Sequence, residues 1–250
     1  MIPRCKFVRR SCSRAVDAGP HDHYLHMYHK YFKRLIDIVL STLAIVVLSP
    51  VLIPVVIGLL LTGEHYVFYF QKRIGYKNKP FDMWKFATML KASPTLPGGL
   101  HTTRKDPRLM PLGGFLRKTK INEIPQLVNI LIGDMSIVGP RPLVDRTFTP
   151  YSDHVKANIY NVRPGMTGIG SIVFRDEEKL LSETKLDPKE FYATYISPYK
   201  GELELWYQEH MTFYTDFMLV FLTAWVILFP KSELVFRVFK GLPEKPEFLR

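Results

Sequence analysis

The chain has 250 residues, 47% hydrophobic and 23% charged, and 34 Lys and Arg against 23 Asp and Glu give it a net charge of +11. That hydrophobic fraction excludes a disordered chain, and the length suits one sizeable domain with additions. The two cysteines, Cys5 and Cys12, exclude a disulfide framework and fit a reducing compartment, while the positive balance calls for a polyanionic partner: nucleic acid, an anionic membrane surface or a phosphorylated small molecule.

Residues 1–30 read as a basic flexible tail. Its His21, His23, His26 and His29 match no closed ligand set, so solvated histidines are expected rather than a metal site. Leu35 to Leu61 is an apolar run longer than the roughly 20 residues a spanning helix needs. It starts too late for a signal peptide, and no small-residue cleavage site follows it. Pro50 and Pro54 fall near its middle, where each removes a backbone donor; Ser49 is placed to return a hydrogen bond to the freed backbone. Lys30, Lys33 and Arg34 precede the run and Lys72, Arg73, Lys77 and Lys79 follow it, so both ends favour the cytoplasmic side. Together these features predict a re-entrant membrane hairpin over residues 31–62, broken at Ser49–Pro50. Asp37, at its entry, is expected to pair with Lys33 or Arg34.

Residues 63–216 form the candidate catalytic domain. YVFYF, the turn-like IGYKNKP and FDMWKF predict a β-hairpin between Glu64 and Met89. Ala92 to Pro107 is a loop rich in Pro, Gly and Thr, expected at an active site or lid. Ile121, Ile124, Leu127, Val128 and Leu131 share one face of a predicted helix over 121–131; Ser182–Tyr199 and Leu203–Phe213 also predict helices. Residues 217–250 open with Phe217 to Phe229, too short to span, and either a core helix or an interfacial element with Trp225 at headgroup level. The sum is an α+β fold, mainly helical: a single cytoplasmic domain seated on a membrane hairpin.

Walker and Rossmann glycine loops, G-x-S-x-G elbows and HExxH pairs are absent. Arginine and lysine instead stand beside Gly and Pro: Arg104 to Arg108, Arg117–Lys118, Gly139–Pro140–Arg141–Pro142, Arg163–Pro164–Gly165 and Phe174–Arg175–Asp176. Arginine offers phosphate a rigid fork, and its Pro and Gly neighbours fix the backbone that aims it. Loop placement favours phosphate binding over a solvated basic face. The basic residues line no helix face with interleaved aromatics, so no nucleic acid is expected as a partner.

The string LRKTKINEIPQLVNILIGDMSIVGPRP, Leu116 to Pro142, resembles the signature of the monotopic phosphoglycosyl transferases, the bacterial sugar transferase family. KRLIDIVLS, Ser49–Pro50, QKRIGYKNKPFDMWKF, TRKDPR, RPGMTG and ELELWYQEHMTFYTDF extend the resemblance in order from about Lys33 to Pro230. It implies transfer of a phosphosugar from a nucleoside-diphosphate sugar to undecaprenyl phosphate, with Mg²⁺ and a covalent phosphosugar-enzyme intermediate. It also implies the cytoplasmic face of a bacterial inner membrane, with downstream glycosyltransferases as further partners. An Asp-Glu pair carries the chemistry in the family: the Asp attacks phosphorus and the Glu, here Glu123, helps hold the metal. Lys85, Arg117, Arg141 and Arg175 fall where the family contacts phosphate or nucleotide.

Three positions depart from the pattern. Asn122 stands where the nucleophilic Asp belongs, Ala87 where an arginine usually follows Lys-Phe, and Glu204 where Asp is common. An amide is a far poorer nucleophile than a carboxylate. Either Glu123 attacks in its place, or transfer is direct, or the chain is an inactive membrane-docked relative that binds nucleotide-sugar or partner enzymes.

Overall fold

A computed structural model describes residues 28–93, 108–230 and 232–249. Cys5, Cys12, His21, His23, His26 and residues 94–107 of the Pro-Gly-Thr loop lie outside the described residues. Among the described residues the fold is mainly helical, with two two-stranded sheets.

A π-helical turn, Tyr28–Phe32, leads into α1, Lys33–Leu61, 29 residues long and so roughly 43 Å. The proline pair does not divide α1 into two elements. Ser49 Oγ donates to the Val46 carbonyl at 2.7 Å, the acceptor Pro50 has no N–H to reach. By length and composition α1 could cross a membrane, and only 6% of its most apolar stretch is buried. Its inner face packs twice: Ala44, Ile45 and Leu48 against Met83, Leu127 and Ile130, and Leu52, Val55 and Leu59 against Phe86, Met110 and Leu116. Val46, Val47, Ile53 and Ile57 are exposed.

At the root of α1 the expected pairing is replaced by another. Lys33 Nζ binds Asp216 at 2.5 Å, and that carboxylate is oriented by the hydroxyls of Tyr28 (2.8 Å) and Tyr207 (2.6 Å). Arg34 donates to the carbonyls of Ile130 and Leu131. With both basic neighbours engaged elsewhere, Asp37 accepts instead from Ser136 Oγ (3.1 Å) and the Ile137 amide (3.0 Å).

Strands β1, Phe68–Ile74, and β2, Pro80–Phe86, pair antiparallel, Tyr69 opposite Lys85 and Gln71 opposite Met83. The predicted hairpin is present, with its first strand two residues later in starting and running on to Ile74. Lys77 and Asn78 take left-handed backbone (φ 56 each) in the turn.

Helix α2, Gly113–Lys118, is followed by a short 3₁₀ turn, Ile121–Glu123, and then by α3, Gln126–Ile132. The single helix expected over 121–131 is divided because Pro125 lacks an amide hydrogen and begins the new helix instead of continuing the old. Gly133 ends α3 with left-handed backbone (φ 99), and Arg34 from α1 caps its last carbonyls. The fully buried Asn129 of α3 fastens the hairpin. Its Oδ1 accepts from the Trp84 amide (2.9 Å) and its Nδ2 donates to the Asp82 carbonyl (2.8 Å), completing an edge of β2 that no strand covers. Asn129→Ala leaves both groups short of a partner, and the expected loss is about 2–3 kcal/mol of stability in denaturant unfolding.

Strand β3, Ser136–Val138, pairs in parallel with β4, Gly165–Thr167, across the short helices α4, Asp145–Phe148, and α5, Asp153–Asn158. Beyond β4 come α6, Ile169–Val173, α7, Glu177–Glu183, α8, Pro188–Phe191, a π-helical turn to Ile196, and α9, Ser197–Glu209. The helix expected over 182–199 is thus interrupted at Thr184–Asp187, where Asp187 caps α8 through the Lys189 and Glu190 amides. The helix expected from Leu203 belongs to α9 and stops at His210. The main core is built here from Leu203, Tyr207, Ile169, Ile172 and Ile196 against Leu219 and Leu222 of α10, Phe213–Leu228. Helix α10 contributes Leu219, Leu222 and Val226 to the core, as the core-helix expectation has it, while its Phe217, Val220, Phe221 and Ile227 are exposed. A short α11, Leu234–Val238, and a 3₁₀ turn, Glu247–Leu249, follow.

Candidate active site

The period of two along β1 and β2 places Tyr69, Gln71, Arg73 and Lys85 on one face of the hairpin. That face lines a cavity of about 400 Å³, closed by Tyr66, Leu90, Arg108, Arg117 from α2 and Asn122 from the 3₁₀ turn. Among the described residues the lining contains Arg73, Lys85, Lys91, Arg108 and Arg117 and no carboxylate. It is a cationic pocket with an apolar and tyrosine wall, a chemistry suited to a phosphate that carries something larger.

The turn bearing Asn122 and Glu123 follows Lys120, whose left-handed backbone (φ 60) reverses the chain after α2. Asn122 Oδ1 is buried and has no hydrogen-bond partner among the described residues. Glu123 Oε1 lies 3.8 Å from Arg141 Nη2. Burial favours the neutral acid at Glu123, but Arg141, Lys85, Lys120 and Arg73 outweigh it and hold the carboxyl below its ordinary range. Glu123 is therefore an ionised carboxylate among cations.

Burial and the neighbouring arginines push Lys85 down to about 8, against the pull of Glu123. Burial, aided by Arg141, likewise lowers Arg73 to about 10, so it stays cationic at neutral pH. Lys85 carries its charge below pH 8 and loses it above. Binding of a fully ionised diphosphate such as UDP is expected to weaken about tenfold between pH 7 and pH 9. In Lys85→Met that slope disappears, which calorimetry at the two pH values reads directly.

The structure brings Lys85, Arg117 and Asn122 together in the cavity, with Glu123 and Arg141 paired beside them. Arg175 is elsewhere: it donates to the Val226 carbonyl and lines a second cavity of about 290 Å³ with Asp176, Lys179 and Glu233. Arg163, from the basic loops, caps Gly133 O at 2.8 Å and serves the fold. Arg73, Gln71 and Tyr69 were not singled out as site residues by the sequence, although strand alternation together with Lys85 marks the same face. Ala87 is fully buried among Leu59, Met110 and Leu116, so core packing occupies the position where an arginine was expected.

A cationic pocket with an ionised carboxylate at its edge, beside a long apolar helix, defines a protein built to handle anionic ligands. The family model described as bacterial sugar transferase matches residues 28–230, and the chain belongs to that family. It is 35% identical over 193 residues to the UDP-glucose:undecaprenyl-phosphate glucose-1-phosphate transferase of Escherichia coli, across 76% of this chain and 40% of that protein. An undecaprenyl-phosphate galactose phosphotransferase of Salmonella typhimurium is 30% identical across 80% of this chain and 41% of its own length. The chain thus spans about two fifths of the length of these relatives. It covers 87% of the uncharacterized sugar transferase EpsL of Bacillus subtilis, at 32% identity over 196 residues.

Proposed function

We propose that the chain transfers a phosphosugar from a nucleoside-diphosphate sugar, with UDP as the nucleotide, to undecaprenyl phosphate and releases nucleoside monophosphate. The observation that carries this reading is the cationic cavity with ionised Glu123 beside it, in a chain of this family. Lys85, Arg73 and Arg117 receive the diphosphate, and Arg141 orients Glu123. The product, a polyprenyl-diphosphate sugar, begins synthesis of a surface polysaccharide or glycoconjugate and passes to downstream glycosyltransferases.

The donor set fits Mg²⁺. Among the described residues no three His, Cys, Asp or Glu cluster as a closed site. Mg²⁺ is commonly held by one or two carboxylates plus substrate phosphates and water. Glu123 supplies the carboxylate, and the unpartnered Asn122 Oδ1 is a hard oxygen at the same turn. When bound, the cation neutralises the diphosphate and stabilises the leaving nucleotide.

Helix α1 is read as entering and leaving the cytoplasmic leaflet of the inner membrane, bending at Ser49–Pro50. Its exposed apolar side, the Ser49 hydrogen bond to Val46 and the basic residues at both ends support this. The outward face of α10 adds a second apolar surface at the same level of the reading.

Detergent-purified protein given undecaprenyl phosphate, Mg²⁺ and a panel of UDP-sugars is expected to release UMP only when the lipid is present. EDTA is expected to stop the release. Release at the same rate without lipid would sink the acceptor assignment, and silence on every sugar would sink the transferase.

A further inference from the structure

Loop 139–143 carries Arg141, and its backbone hydrogen bonds can be accounted for group by group. Gly139 N–H donates to Thr167 O at 2.9 Å, and Pro140 O accepts from Gly165 N–H at 2.8 Å. Arg141 O accepts from the Tyr160 hydroxyl at 2.9 Å, whose oxygen accepts in turn from Leu143 N–H at 2.9 Å. Pro142 O accepts from Arg73 Nη1 at 3.2 Å, and neither proline has an N–H to place. Glycine is required at 139, because a Cβ there would meet Arg163 O at 2.4 Å. One donor of the loop is left over, the Arg141 amide itself.

The group facing that amide is the carboxyl of Glu204 on α9. Glu204 is 2% exposed, and its Oε1 lies 2.4 Å from where a Cβ on Gly170 would stand. It faces the Arg141 and Gly170 amides, although neither carboxyl oxygen closes a hydrogen bond of full geometry. Burial pushes this carboxyl up to about 8, against Lys200 and those two amides, so the group is costly to keep where it is. A buried acid with no ion-pair partner of its own among the described residues, its neighbour Lys200 being paired with Glu177, and aimed at the backbone of the arginine that meets Glu123, marks a specific use.

We propose that Glu204 is a positioning residue: it secures the main chain at Arg141, and thereby the guanidinium that holds Glu123 at the edge of the phosphate cavity. The inference rests on the phosphate reading of that cavity. The test measures UDP affinity by calorimetry, and melting temperature separately, for the native chain, Glu204→Gln, Glu204→Ala, Arg141→Ala and the double variant Glu204→Ala/Arg141→Ala. Arg141→Ala and Glu204→Ala are each expected to weaken UDP about tenfold, and the double variant no more than Arg141→Ala alone. Glu204→Gln, which keeps one acceptor oxygen, is expected to stay within about threefold of native. Additive losses in the double variant, or native affinity in Glu204→Ala despite a lowered melting temperature, would overturn the role. Should Glu204→Ala not fold, Glu204→Gln alone and combined with Arg141→Ala form the same cycle; a tenfold loss in Gln that adds to that of Arg141→Ala overturns it equally. A native chain that binds no UDP removes the phosphate reading itself and the role with it, a result distinct from the others.

Discussion

Replacing Glu123 with Gln is expected to lower lipid-dependent UMP release by at least about a thousandfold while tightening metal-free UDP binding about tenfold. The two effects have opposite signs for one reason. Glu123 is the carboxylate to which Arg141, Lys85, Lys120 and Arg73 all respond, and they keep it ionised. Glutamine preserves the shape and removes the charge. The cations then face an incoming diphosphate with no internal competitor, which favours binding, but the anionic oxygen that would hold Mg²⁺ is gone, which removes the rate. Lys85 supplies an independent check. Glu123 is what raises its pKa, so in Glu123→Gln the lysine loses its proton below pH 8 and the pH dependence of UDP binding moves to lower pH. Stability changes with pH in the matching sense. The depressed Glu123 carboxyl contributes stability that is present above the ordinary carboxylate pKa and is lost as pH falls through its lowered value, and the variant lacks that acid limb. Release within tenfold of native, with UDP affinity unchanged, would remove Glu123 from the chemistry.

The sequence made the local elements legible where one physical signal dominated. Alternating polarity between Glu64 and Met89 identified the hairpin, and apolar length identified α1. It failed where tertiary partners decide. Nothing local says that Lys33 is drawn to Asp216 across the fold, leaving Asp37 for the Ile137 amide. Nothing local says that Arg163 and Arg34 spend their guanidinium groups on the carbonyls around the end of α3. Arginine beside Gly and Pro is a signal for an aimed guanidinium, but helix ends and phosphates present the same acceptor chemistry, and only the fold separates them. The site was half legible for a related reason. Lys85, Arg117, Asn122, Glu123 and Arg141 stood out as motif residues, whereas Arg73, Gln71 and Tyr69 enter through strand register, a pairwise property that no single stretch of sequence carries.

Asn122→Asp is expected to raise UMP release at least about tenfold and to weaken UDP binding by about the same factor. Asn122 Oδ1 is buried in the cavity lining without a partner, among Arg73, Lys85 and Arg117. A carboxylate in its place would be held ionised by those cations, as Glu123 is. It would therefore repel the diphosphate in the ground state. The same anion is a far better nucleophile than an amide oxygen: its oxygen can bond to the sugar-bearing phosphorus as the bond to the departing UMP breaks. Such a phosphosugar ester would label the protein when the sugar is radioactive and the lipid is withheld, and adding undecaprenyl phosphate would discharge it. The native chain is expected to release UMP without accumulating label, because its only ionised carboxylate at this turn, Glu123, is engaged by Arg141. Label on the native chain that Glu123→Gln removes would transfer the nucleophile's role to Glu123. A silent native chain beside an active, labelled Asn122→Asp would make the natural protein a nucleotide-sugar binder whose Asn122 position is kept free of carboxylate, consistent with the tighter UDP binding predicted for asparagine at this position.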